Sequence, residues 1–487
     1  MLIRDSDISR VWFKKDSIFQ VPRANITIQI RTPLAYATPF ASVASTLFGE
    51  LIEDDLNEFS YAADIAGLKY KINNNSDGLR LEISGYNDKQ RLLLEKIVDK
   101  MANFKVNPER FANLKEDLIL QFKNWDFESP HEHVMFYMTS VIQERFWSDQ
   151  QKLEVLTDLQ PAQLEAFAKI LVSRLHIEFL FHGNLSRTSA LEMVGIFESK
   201  LQPQKLYAIE KFPSRTLQLQ PGQAFAYDRL VPDKENPNTA IEIFIQTGHY
   251  DDMRTRVLTI LVEQCLRERF FDQLRTKQQL GYIVGAHSRA IRGSIGVRFL
   301  IESNFSPEYL ERCIERFLVS ELVHFQTLEE SEYHKHVGSV ITRKLEKNRS
   351  LKVETEKHMK ALVNSYDFDY GESPLWNSLR KSSSPTLSFL FLIQAILETD
   401  LLKTLTKEDL SAFYERHFVE ASQRAKLVCI SRSQMPAAVK AEEETQGSAD
   451  VTPRPNTLID NLEAFKSSIP LSPHMQPSKK FVQLQTE

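Results

Sequence analysis

Arg275 and Tyr282 lie in the segment Phe270-Phe271-Asp272-Gln273-Leu274-Arg275-Thr276-Lys277-Gln278-Gln279-Leu280-Gly281-Tyr282-Ile283-Val284. It reads as a helix end, a Gly-marked turn and the start of a β-strand. A guanidinium and a phenol near such a junction are two donors able to converge on one carbonyl oxygen. Hydrolases stabilise the charge developing on a scissile peptide in this way. The same spacing also fits an Arg on a solvated helix face and a Tyr entering the core. Spacing alone leaves both readings open.

Other chemistries find little support. Zincin-type sites place two His on one face of a helix with a Glu beside one of them. His131-Glu132-His133 comes nearest, but Met135 stands where His-Glu-x-x-His needs its second His, and Ser129 where His-x-x-Glu-His needs its first. His131 and His133, like His334 and His336, sit two apart and point to different sides of a helix. No metal site is expected within this chain. There is no Gly-x-Ser-x-Gly elbow, no Cys has a His nearby in sequence, and phosphate-binding Gly loops are absent. A basic run containing Arg343, Lys344, Lys347, Arg349 and Lys352 suits either a polyanion or a solvated helix face.

The elements that must position these groups belong to a chain of 487 residues, long enough for about two to four domains. It is 42% hydrophobic and 26% charged with a net charge of −5, which gives no global electrostatic case for nucleic acid. Cys265, Cys313 and Cys429 are widely spaced, as in a reducing compartment. The start of the chain has no signal-peptide pattern. Its longest apolar cluster, Leu387–Leu397, is too short to span a bilayer. A cytoplasmic protein with no membrane and no nucleic-acid partner is expected.

The chain repeats its own pattern once. Asn25–Thr32 and Thr239–Thr247 both alternate as half-buried strands, offset by 215 residues. Each is followed by an amphipathic helix, at Phe40–Asn57 and Thr255–Leu274, and then by Gly67 or Gly281 at the head of a strand, offset by 214. Strands at Gly78–Ile83 and Gly296–Ile301 follow at an offset of 218. Long helical patterns come next, Lys89–Met101 and Pro108–Asn124 against Pro307–Phe325 and Leu328–Leu345. Grouped strands and long helices predict an α+β fold. Two homologous α/β domains are expected, each a mostly antiparallel sheet with helices packed on one face. Pro213, Ser214, Pro221 and Gly222 break the periodicity and set the division at 1–215 and 216–487. Two segments stand outside the plan: 370–394, read as an insertion, and 435–456, whose composition suits a mobile loop.

The residues also resemble a known family. Trp12-Phe13-Lys14, Leu56-Asn57-Glu58-Phe59-Ser60-Tyr61-Ala62-Ala63, Gly85-Tyr86-Asn87-Asp88-Lys89-Gln90, Ser173-Arg174-Leu175-His176-Ile177-Glu178, His182-Gly183-Asn184, the Leu274–Val284 block and Leu402-Lys403-Thr404-Leu405-Thr406-Lys407-Glu408-Asp409 are similar, in order, to the C-terminal half of the insulin-degrading-enzyme family and its fungal members. These are inverzincin metallopeptidases of the pitrilysin type. The resemblance implies a clamshell of four homologous domains, with this chain as the third and fourth. It implies a zinc ion and general-base Glu in an N-terminal half, in cis or in trans, with peptides as substrates. The chain alone is then expected to be inactive, its role being to close the chamber and supply donors.

By the same resemblance Arg275 and Tyr282 match the donors that reach the scissile carbonyl, and Phe271 matches an aromatic residue beside the cleaved bond. The basic run loosely resembles a polyphosphate- or nucleotide-binding region. Two departures stand out. Tyr370–Gln394 replaces a short acidic link, and Leu484-Gln485-Thr486-Glu487 lacks the small-basic-Leu peroxisomal ending of some relatives. A catalytically silent scaffold or peptide-binding protein on the same fold is the alternative. Pairing of two such lobes into a homodimer is left open.

Overall fold

The structure, a computed structural model, describes residues 1–211, 214–363, 387–438 and 455–474. Its strands form two sheets. The first comprises β1 (Leu2–Asp5), β2 (Ser9–Lys15), β3 (Arg23–Arg31), β4 (Leu68–Asn75), β5 (Gly78–Tyr86), β6 (Arg174–Gly183) and the short β7 (Gln204–Lys205). The second comprises β8 (Ala224–Leu230), β9 (Thr239–His249), β10 (Ile283–Ile291), β11 (Ser294–Ser303), β12 (Ala425–Arg432) and β13 (Thr457–Leu458).

The duplication is visible strand by strand. The first sheet runs β2-β6-β3-β5-β4 through its centre, and the second runs β8-β12-β9-β11-β10. In each the first of these pairs is parallel and the others antiparallel. Even the register repeats. Ile28 lies opposite Leu81, and their counterparts Ile243 and Phe299 lie opposite each other. Period-2 alternation accounts for this, because a one-residue slip would turn every core side chain to the wrong face.

The helices of each half cover one face of its own sheet. Ile26, Ile28 and Ile30 point into a core completed by helices such as Pro39–Asp55 and Gln90–Ala102. Ile241, Ile243 and Ile245 do the same beneath Met253–Phe270 and Pro307–Gln326. Local signals set these helices. Thr38 caps the first by accepting from the Ala41 amide, and Asn107 caps Pro108–Asn124 ahead of a proline at its first position. The helix expected over Phe40–Asn57 stops at Asp55, and a second helix, Asn57–Ile65, follows without a single buried residue.

The opposite faces are covered by exchange. Helix Pro130–Ile142 of the first half packs on β9 and β12 of the second, where Val134, Met138 and Val141 meet Ala240, Phe244 and Leu427. Helix Leu351–Val363 of the second half returns the favour on β3 and β6. The halves also meet at equivalent hairpin turns. Asp77, between β4 and β5, accepts two hydrogen bonds from Arg292, between β10 and β11, at 2.8 and 3.0 Å.

Of the segments set apart above, 370–386 and 439–454 lie outside the described residues. Residues 387–394 begin the helix Leu387–Thr404. No helix among the described residues is long and apolar enough to cross a membrane.

Candidate functional site

The helix Met253–Phe270 continues into a π-helical turn, Phe271–Lys277. Phe270, Leu274 and Leu280 are fully buried and fix this junction to the core. Their neighbours Phe271, Arg275 and Tyr282 are therefore turned outward. The chain reverses through Gln279, whose φ of 54° is left-handed, while the Leu280 amide donates to the Leu274 carbonyl at 2.9 Å. Gly281 follows because nothing larger fits: a Cβ there would stand 1.9 Å from the Glu302 carbonyl oxygen.

The three site residues form one cluster. The Arg275 guanidinium carbon lies 4.8 Å from the Phe271 ring centroid and 4.9 Å from that of Tyr282, so the cation is in contact with both π-systems. Tyr282 is 81% exposed and Phe271 40% exposed. The Tyr does not enter the core, one of the two arrangements its spacing allows. Neither Arg275 nor Tyr282 has an ion-pair or hydrogen-bond partner among the described residues, so their donors are available to a ligand. At the corresponding positions of the first half, Tyr61 is exposed and Leu68 is buried, so no such donor pair is built there.

The basic run is dispersed. Arg343 reaches Glu263 at 3.5 Å, Arg349 reaches Glu346 at 2.5 Å, Lys352 reaches Glu356 at 3.9 Å, and Lys344 pairs with Glu398. Lys347 is exposed. Most of the charge offered to a polyanion is matched within the chain.

His131 and His133 diverge as their spacing requires. His131 Nδ1 lies 2.5 Å from Glu302, and the buried His133 makes its contact with the Trp125 carbonyl at 2.9 Å. With separate partners on different sides of the helix, they do not form a zinc-binding pair. Among the described residues one donor group does converge without zincin spacing: His182, Glu354 and His358. It is built from a strand of one half and a helix of the other. Glu354 and His358, four apart on one helix, were the only sequence signal for it.

Residues 1–155 match the model of the middle or third domain of M16 peptidases, and residues 261–359 match that of the C-terminal lobe domain 4 of PqqF-like PQQ synthases. Human insulin-degrading enzyme is 33% identical over 99% of this chain and 46% of its own. Along nearly its whole length the chain is similar to members of the insulin-degrading-enzyme family of M16 peptidases. Zinc is expected in that family. Among solved structures, pitrilysin superposes with a TM-score of 0.79 at 20% identity, over 97% of this chain and 46% of its own. An M16 peptidase inactive domain from Pseudomonas fluorescens superposes with a TM-score of 0.63 at 13% identity, over 90% and 99%. These two show the shared fold. The chain spans about half the length of the curated relatives it matches.

Proposed function

We propose that this chain acts as the C-terminal lobe of an M16 zinc metalloendopeptidase, comprising its third and fourth domains (1–215 and 216–487), and that it works in the cytoplasm. Zinc and the general base are supplied by an N-terminal half, in cis or in trans. This lobe closes the chamber around a peptide and presents Tyr282 and Arg275 to the scissile carbonyl, with Phe271 beside the bond. The observation that carries this reading is the outward-facing cluster itself. A guanidinium held against two rings and a phenol free of internal partners are donors placed in advance of a ligand, which is what stabilising a developing oxyanion requires. Alone, the chain does not hydrolyse peptides.

The test is Tyr282→Phe in the enzyme assembled from both halves. The phenol is exposed, so its removal leaves the fold intact. Turnover should fall by roughly 100-fold, the usual effect of losing one oxyanion donor, with little change in substrate affinity. Unchanged turnover refutes the assignment. A silent scaffold is the second reading, favoured by the M16 inactive domain that shares this fold. It predicts peptide binding by the assembled protein without cleavage.

A further inference from the structure

His182 on β6 and the helix Leu351–Val363 meet where the second half covers the first half's sheet. His182 Nδ1 lies 2.8 Å from Thr355 Oγ1. That hydroxyl already donates its only proton to the Leu351 carbonyl at 2.8 Å and accepts from Asn25 Nδ2 at 2.8 Å. The ring must therefore donate from Nδ1, and in neutral histidine the Nε2 lone pair is left facing inward. Nε2 is buried without a hydrogen-bond partner among the described residues, and it faces Glu354 Oε2 at 3.5 Å.

His358 completes the group. Its Nε2 lies 3.7 Å from Glu354 Oε1, and its ring stands edge-on to His182 with centroids 5.4 Å apart. All three residues are buried, and one ligand atom from each lies within 4.8 Å of the other two. Ligand atoms around tetrahedral zinc at ~2.0–2.1 Å sit ~3.4 Å apart, and the two separations from histidine to Glu354, 3.5 and 3.7 Å, are close to that. Lys14 pairs with Glu354 through Oε1, leaving Oε2 towards His182.

We propose that His182, Glu354 and His358 bind a divalent transition-metal cation of the zinc class, which ties helix Leu351–Val363 of one half to the sheet of the other. Two imidazoles and a carboxylate form a donor set suited to such an ion. Thr355 takes the outer role of the residue that fixes a ligand histidine's tautomer. A cavity of about 560 Å³ is lined by Asn25, Thr355 and Met359. The site is distinct from the Arg275–Tyr282 cluster, and the proposal does not depend on the function assigned to it.

The experiment uses the full chain stripped with a chelator and titrated with Zn²⁺ alone by calorimetry, then with Co²⁺ by visible absorption. One equivalent of zinc should bind, raise the unfolding midpoint and slow amide exchange in 174–183 and 351–362. Cobalt should give the intense d–d bands of a four-coordinate nitrogen–oxygen site. His182→Gln and His358→Gln should each weaken binding by more than the ~10–100-fold typical of losing an outer partner, and Thr355→Val by about that amount. His131→Gln should change nothing. The wild-type measurements hold even if a buried variant fails to fold. Failure of the folded wild-type chain to take up one equivalent overturns the proposal, as does uptake that survives in the folded His182→Gln and His358→Gln variants.

Discussion

Arg275→Ala separates two roles that the structure assigns to one side chain. The guanidinium is a donor in its own right, and it also orders Tyr282. A residue 81% exposed has little hydrophobic burial to hold its ring. Its contact with Arg275, at 4.9 Å, and that of Phe271, at 4.8 Å, are each worth ~0.5–1 kcal/mol at an exposed site. Alanine therefore removes ~1–2 kcal/mol of ordering. Converted at ~1.4 kcal/mol per decade, that is ~5–30-fold in turnover, which multiplies the ~100-fold expected for the missing donor to ~500–3,000-fold. Arg275→Lys should fall between wild type and alanine, because an ammonium keeps the charge but loses the planar fork. The assay is kcat and KM on a fluorogenic peptide for the assembled enzyme, with both single variants and Arg275→Ala/Tyr282→Phe. If Arg275 orders Tyr282, the double variant is only ~3–20-fold worse than Arg275→Ala alone, against the ~100-fold of independent donors. Single effects that multiply cleanly in the double variant, or an Arg275→Lys enzyme equal to wild type, would refute the coupling.

Two predictions concern the fold that carries the site. Asp77→Asn should lower urea-unfolding stability by ~2–4 kcal/mol, somewhat less than a fully buried pair because Arg292 retains 21% side-chain exposure. Arg292 counteracts burial and holds the Asp77 carboxyl below its ordinary range. The contribution is thus present above the unfolded pKa of ~3.9 and lost as pH falls through the lower folded value, so wild type and variant should converge in acid. Glu50 behaves in the opposite sense, since burial pushes its carboxyl up to about 7. The folded state binds that proton more tightly, and the associated stability is lost as pH rises from about 4.5 to 7. Glu50→Gln should match wild type near pH 4.5 and exceed it above pH 7 by ~1–2 kcal/mol, below the ~3 kcal/mol ceiling because Glu50 is partly exposed. Equal stabilities at pH 8 would contradict that account.

What the amino-acid order determined by itself was local and repeated. Strand alternation carried the register, so the offsets between Asn25–Thr32 and Thr239–Thr247, and between the strands that follow, reappear as matching ladders in the two sheets. The helical patterns beginning at Pro108 and Pro307 match helices that start at those residues, capped by Asn107 and Ser306, because capping acts within one turn. The spacing of Phe271, Arg275 and Tyr282 was legible, but its meaning was not. Only the burial of Leu274 and Leu280 shows that the three side chains must face outward together.

Other features belonged wholly to tertiary structure. The exchange of helices Pro130–Ile142 and Leu351–Val363 between halves leaves no periodic trace, since each helix is amphipathic whichever sheet it covers. The meeting of His182 with Glu354 and His358 joins residues more than 170 positions apart, and Asp77 with Arg292 more than 200. Contacts at such separations are set by how two folded halves pack, whereas local sequence pattern dictates only which face each element offers.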